Sequence, residues 1–257
     1  MENALLIGLS RQMALAHELD IVANNVANID TTGYKADNAA FSEFLMPRAS
    51  DQDFTGRDRR ISFVQDHASW LNMSEGAIQH TGNPLDVAIN GPGYIQVQTP
   101  RGQRYTRNGA LQINSTGQLV TNEGYQVIGD GGPIQFQTGD HDISISPNGV
   151  ITALSGTDPT DAPRGHLQIV SFDQPQLLQK DGDSLFVAPA NANPAPSPLG
   201  TRIEQGAIEK SNVNAVAQMA RMIQITRSYN DIAAILQQQG DERRSALQQL
   251  SQLPSSS

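Results

Sequence analysis

The sequence predicts an α+β protein: N- and C-terminal helices pair in a coiled-coil-like domain, with a central all-β antiparallel domain between them. Three observations carry this. Asn3 to Asn28 places apolar residues at helical spacing, and Asn212 to about Leu236 does so again. Between them run short alternating segments separated by Asn-Gly and X-Gly pairs, the strongest local signal for hairpins. No helical stretch interrupts those strands, so the middle reads as an antiparallel sandwich or barrel-like fold and not as βαβ units.

In the first helix, Leu5, Leu6, Leu9, Met13, Ala16, Leu19, Val22, Ala23 and Val26 recur three or four apart. At 1.5 Å per residue it spans roughly 40 Å. Asp30-Thr31-Thr32-Gly33 supplies turn chemistry that ends it. Asn24, Asn25 and Asn28 stand beside the apolar stripe. They either terminate the helix or fix register between packed helices, as a polar residue in a coiled-coil core does. Gly33 follows because the chain must reverse there and glycine accepts φ > 0.

From Lys35 onward the pattern weakens. Phe41, Phe44, Leu45 and Met46 suggest a short helix or turn stopped by Pro47, and Ser50 to Arg60 reads as a polar loop. Ile61 to Asp66 alternates as a strand. Strand signals are dense from Asn83 to Val187, with turns expected at Asn90-Gly91, Pro100-Arg101-Gly102, Asn108-Gly109 and Ser115-Thr116-Gly117. Ala188 to Gly200 is an extended Pro-rich linker, and Thr201 to Glu209 adds one return strand. Ser211 or Asn212 is placed to cap the last helix, with Asn214 able to share that role. Val213, Val216, Met219, Ile223 and Tyr229 lie on its stripe, and Gly240 is expected to break it. The resulting segments are 1–35, 36–80, 81–187, 188–210 and 211–257.

Composition narrows the function. Net charge is −9 with no basic cluster, which argues against a nucleic-acid partner. Cysteine is absent, so there is no disulfide framework and no thiolate metal site. No apolar run approaches the roughly 20 residues needed to span a bilayer, and the N-terminus does not read as a cleaved secretory signal. His17, His67, His80, His141 and His166 show no ligand spacing. Gly129 to Gly132 (G-D-G-G) precedes no helix, so it reads as a tight turn and not a phosphate cradle. Asp181-Gly182-Asp183-Ser184 lacks the spacing of a calcium loop and also reads as a turn. Asn114-Ser115-Thr116 is a formal glycosylation sequon that reads as hairpin chemistry. No catalytic constellation stands out. The expectation is a non-enzymatic protein with no metal, no cofactor and no small-molecule substrate.

Five blocks then coincide. V-A-N-N-V-A-N-I-D-T-T-G-Y-K (Val22 to Lys35) resembles the basal-body rod signature of bacterial flagella. G-N-P-L-D-V-A-I-N-G-P-G-Y (Gly82 to Tyr94), R-Y-T-R-N-G (Arg104 to Gly109) and G-Q-L-V-T-N-E-G-Y (Gly117 to Tyr125) resemble the central block shared by flagellar rod and hook proteins. S-N-V-N-A-V-A-Q-M-A-R-M-I (Ser211 to Ile223) resembles their C-terminal block. The opening M-E-N-A-L-L-I-G-L-S-R-Q and the compact length are most similar to the proximal rod members. I-T-R-S-Y-N (Ile225 to Asn230) stands where distal rod members usually carry Q-R-A-Y-E. Tyr94-Ile95 replaces the aromatic pair that often follows the central G-x-G.

The resemblance implies an axial subunit of the basal-body rod, exported through the flagellar type III apparatus. It implies partners among copies of itself and other rod proteins, proximal and distal, in a helical tube that crosses the periplasm and carries torque to the hook, with the β-domain outside. A distal rod or hook subunit is the neighbouring alternative. A peptidoglycan-binding or muralytic β-domain is the alternative from another class. The expected assembly contacts are Leu9, Met13, Leu19, Val22, Asn24, Asn25, Val26, Asn28 and Gly33, facing Val213, Asn214, Val216, Met219, Ile223 and Tyr229.

Overall fold

The computed structural model describes residues 2–46, 61–156, 160–189, 192–198 and 200–251. Helix α1 is Glu2–Ala27 and helix α2 is Ala215–Ser251. The chain divides into two compact units. One comprises residues 1–26, 37–70 and 214–257, the other 27–36 and 71–213.

In the first unit, Leu15, Val22 and Ile225 are buried together, with Leu19, Val26, Met222, Tyr229 and Ile232 packed against them. This is the i, i+3, i+4, i+7 pattern of one helix face meeting its counterpart. Glu18 accepts from Arg221 Nε at 2.8 Å beside that seam. A Cβ placed on Gly8 would come within 2.6 Å of Leu236 Cδ2, so the two helices approach closely there and the Leu236 side chain would have to shift to admit it. The unit also contains most of a two-stranded sheet formed by Asp37–Met46 and Ile61–Leu71. The short helix or turn expected at Phe41–Met46 is therefore a strand. Phe41, Phe44, Leu45 and Met46 do not distinguish the two periods, and pairing with a long partner decides it. Pro47 and the loop expected at 50–60 lie outside the described residues.

Gly240 does not break α2, which runs on for 37 residues in all. A single glycine costs about 1 kcal/mol against alanine, and its neighbours are mostly good helix formers. Asn214 is the N-cap: its Oδ1 accepts from Ala217 N at 3.0 Å. Ser211 and Asn212 are not the cap.

The second unit is the antiparallel β-domain. Its main sheet runs in the order Gln179–Lys180, Leu185–Val187, Gly102–Thr106, Tyr94–Thr99, Gln126–Gly129, Leu119–Thr121, Leu111–Ile113. A three-stranded sheet of Asp140–Ile145, Val150–Ser155 and Ala162–His166 accompanies it. The period of two sorts side chains to two cores. Ile95, Val97 and Leu185 enter one cluster with Val127 and Ile151, while Tyr94 and Phe186 enter another with Tyr105 and Phe172. Burial pushes the Tyr94 hydroxyl up to about 12.

Two of the expected turns form as hairpins. Thr99 pairs with Gly102 across Pro100-Arg101. Asn114 Oδ1 accepts from Thr116 N and Gln118 N, tying the turn between Leu111–Ile113 and Leu119–Thr121. Asn90-Gly91 and Asn108-Gly109 do not turn hairpins. Val87–Asn90 pairs with Arg202–Gln205, more than a hundred residues along the chain. Gly109 lies so close to Val87 that a Cβ would fall 1.7 Å from its carbonyl oxygen, so this glycine serves backbone approach. The strand read from Ile134–Gln137 is reduced to an isolated bridge at Gln135, and the short strand Gly132–Pro133 lies just before it. The single return strand is two, Arg202–Gln205 and Ala207–Glu209, with Gly206 (φ 73°) between them.

Asp181 accepts from Arg104 Nε at 2.6 Å and from Arg101 at 2.7 Å. Arg104, then Arg101, holds its carboxyl below the usual range. Arg164 does the same to Asp140 through a two-pronged bond. A carboxyl lowered by folding contributes stability above its ordinary value near 4, and that contribution is lost as pH falls through the folded value. Calorimetry is expected to show the melting temperature dropping below about pH 4, with a shallower drop in Asp140→Asn/Asp181→Asn. An unchanged slope would contradict this. Nothing lies within 4 Å of a Cβ at Gly240, so Gly240→Ala is expected to raise stability of α2 by about 0.5–1 kcal/mol, read by far-UV circular dichroism on heating.

Candidate functional site

The apolar stripe read along the two helices is two faces. Leu19, Val22, Val26 and Tyr229 belong to the seam between α1 and α2. Leu9 is 50% exposed, Met13 66%, Val216 79%, Met219 50% and Ile223 55%. Leu9 and Met13 lie four residues apart on α1; Val216, Met219 and Ile223 lie three and four apart on α2, so each set shares a helix face.

The asparagines do three different things. Asn25 is buried, donates from Nδ2 to Asp37 O at 2.8 Å and accepts from Asp37 N at 2.9 Å. It thus serves as a strand-like partner for the backbone leaving the turn. Asn28 accepts from Thr31 and closes that turn. Asn24 is exposed. Val213 is half-buried, and Asn214 caps α2.

Gly33 belongs to a different constellation. Residues 27–36 seat in the β-domain unit, where Gly33 N donates to Glu209 O at 2.8 Å and Asn212 N to Tyr34 O at 3.3 Å. Gly33 has φ +67°, and a Cβ there would lie 2.4 Å from Asn108 N. Both the backbone sign and the contact require glycine. Thr32 Oγ1 bonds Asn108 Oδ1 at 2.6 Å, and Lys180 Nζ stands 3.9 Å above the Tyr34 ring.

Beneath this strand pairing lies a buried ionic clamp. Lys35, Arg107 and Glu209 are 1%, 4% and 1% exposed. Lys35 Nζ meets Glu209 Oε1 at 2.6 Å and donates to Ser74 O at 2.7 Å. Arg107 Nε meets Glu209 Oε2 at 2.5 Å, and its other nitrogens donate to the carbonyls of Ile89, Gly91 and Gly93. Gly76 N donates to Glu209 Oε1 at 2.8 Å. Burial pulls the Lys35 ammonium below the ordinary lysine value, and Glu209 draws it part of the way back. Asn212 completes the junction: Oδ1 accepts from Ala36 N, and Nδ2 donates to Asn72 O and Ser74 O. Each buried polar atom named here has a partner, as burial demands. Lys35, Arg107 and Glu209 are absent from the expected contacts. Their signal was charge in or beside the motif blocks: Lys35 closes the first, Arg107 sits in R-Y-T-R-N-G, and Glu209 stands just before the last.

Nothing in this arrangement resembles a reaction centre. The clamp is closed to solvent, and the two surface hollows described hold about 290 and 280 Å³, at the small end for a ligand pocket. Among the described residues no group of three or more His, Cys, Asp or Glu could hold a metal, and no helix is long and apolar enough to cross a membrane.

Comparison with known proteins matches three segments in chain order. Residues 5–35 match the flagella basal body rod protein family, residues 88–153 the flagellar hook protein FlgE/F/G D1 domain, and residues 204–250 the flagellar basal body rod FlgEFG protein C-terminal family. The FlgF rod protein of Caulobacter vibrioides is 37% identical, covering 98% of this chain and all of its own. FlgF of Escherichia coli is 32% identical over 98% of this chain and 99% of its own. The FlgG rod protein of Agrobacterium fabrum is 34% identical over 88% and 91%. Lys35 closes the first matched segment, Arg107 lies in the second and Glu209 in the third, so the clamp joins all three. With helices, β-domain and clamp in the order of those segments and near-complete coverage, the chain belongs to the flagellar basal-body rod protein family, among its FlgF members.

Proposed function

We propose that this chain is a non-enzymatic structural subunit of the bacterial flagellar basal-body rod, in its proximal section. It assembles with copies of itself and with other rod proteins into the periplasmic shaft that carries torque to the hook. The terminal helices pair in a coiled-coil-like manner and supply the axial layer, and the type III export apparatus delivers the chain. The observation that carries this is the outer apolar face of each helix, Leu9 and Met13 on α1 and Val216, Met219 and Ile223 on α2, which the seam within the chain leaves uncovered. A head-to-tail contact between such faces propagates into an open helical filament and does not close into a ring.

The two faces predict opposite outcomes for one substitution. Ile223→Asp puts a charge on the outer face, and the soluble chain is expected to keep its helicity and melting temperature while cells carrying it fail to swim. Val22→Asp puts a charge into the seam and is expected to destabilise the helix pair by about 3 kcal/mol or more, measured by urea unfolding. Swimming at normal speed by Ile223→Asp cells, with the variant present in purified basal bodies, would contradict the assignment.

A further inference from the structure

The clamp joins groups that are far apart in sequence. Lys35 and Glu209 are separated by 174 positions. Lys35 lies in the connector that follows α1, Arg107 beyond the Gly102–Thr106 strand, and Glu209 at the end of the last strand before α2. Two buried cations share this one buried carboxylate. Without Glu209, half-exposed Glu75 at 3.9 Å from Arg107 is left to face them. A buried charge with no partner is costly, so the connector gains little by seating early. The same holds for its backbone. Gly33 N and Gly76 N both take acceptors from Glu209, and Ala36 N takes one from Asn212. Glu209 is itself held by antiparallel pairing of Ala207–Glu209 with Ile78–His80.

We infer that Lys35, Arg107 and Glu209 form a completion latch: the connector after α1 seats on the β-domain only once the strand Ala207–Glu209 is paired, so both helix connectors lock in a single step. The three are positioning residues for assembly. A chain whose C-terminal strand is unpaired leaves the first connector loose, and its two helices do not leave a common junction. That consequence rests on the rod-subunit reading; the latch does not.

The chain has three lysines, Lys35, Lys180 and Lys210, which makes amine labelling a direct readout. The full-length soluble protein is acetylated with an amine-reactive ester and mapped by peptide mass spectrometry. Lys35 is expected to be protected relative to Lys180, which is only half-buried. Glu209→Gln removes the shared charge and is expected to raise Lys35 labelling roughly a hundredfold with Lys210, whose backbone bonds Ala77 and not the connector, unchanged, while Lys180 rises only as far as the loss of Tyr34 exposes it. Lys35 staying protected in that variant overturns the latch. Lys35 and Lys210 rising together also overturns it, because the clamp would then be a general core contact.

The wild-type chain supplies a second measurement that depends on no variant folding. In refolding followed by pulsed hydrogen exchange, Gly33 and Ala36 amides are expected to gain protection in the same phase as the Ala207–Glu209 strand. Protection of Ala36 in an earlier phase overturns the proposal. Normal swimming by Glu209→Gln cells whose purified protein shows an open Lys35 would overturn the consequence for assembly and leave the latch standing.

Discussion

Glu209 is the group on which the junction of this molecule depends. Its two carboxylate oxygens serve an ammonium, a guanidinium and a backbone amide, and its own carbonyl takes the Gly33 amide. A buried ion cluster of this kind is weak support for raw stability, because desolvation offsets the attraction. Its strength is in selecting one arrangement, since a misplaced neighbour leaves a charge without a counterpart. Two connectors that enter and leave the β-domain are thereby set side by side, residues 33–36 against 209–212. Glycines at 33, 76 and 109 are the steric half of the same constraint, each standing where a Cβ would strike backbone.

The helices follow a different logic. Their seam is made of Leu15, Val22 and Ile225 with partial burial of their neighbours, a small core for helices of 26 and 37 residues. A second apolar face remains in water at Leu9, Met13, Val216, Met219 and Ile223. In the proposed rod, a repeated subunit would find a partner for such surface at every step of a filament. Specific polar chemistry sits at the connectors, and exposed apolar surface sits on the helices.

Much of the fold was legible in the sequence. The two helical stripes and most of the strands stand out because period and turn chemistry are local signals. Local signals also explain the misses. Asn90-Gly91 and Asn108-Gly109 look like hairpin turns, but the flanking strands pair elsewhere, Val87–Asn90 with Arg202–Gln205, Gly102–Thr106 with Tyr94–Thr99 and Leu111–Ile113 with Leu119–Thr121, and Gly109 is set by its approach to Val87. Gly240 looks like a helix end, yet one glycine among good helix formers is too small a cost to stop a helix. The apolar stripe was visible as one set. Its division into a seam and an outer face depends on how the helices cross, which no periodicity records. Asn25 was read either as ending the helix or as fixing register between helices, and its actual partner, the backbone of Asp37, lies across a turn whose path the sequence leaves open. Lys35, Arg107 and Glu209 escaped because a charged residue is ordinarily solvated. Pairing across 174 positions gives no pattern within any window.

A double-mutant cycle on Lys35 and Glu209, read by urea unfolding of the full-length chain, measures the central interaction most directly. Lys35→Met, Glu209→Gln and the pair of changes together isolate the coupling between the two side chains. A buried shared carboxylate predicts that losing Glu209 alone is the most damaging change, that removing Lys35 as well restores part of the loss, and that the coupling exceeds about 2 kcal/mol. Additive effects, with a coupling below about 0.5 kcal/mol, would contradict it.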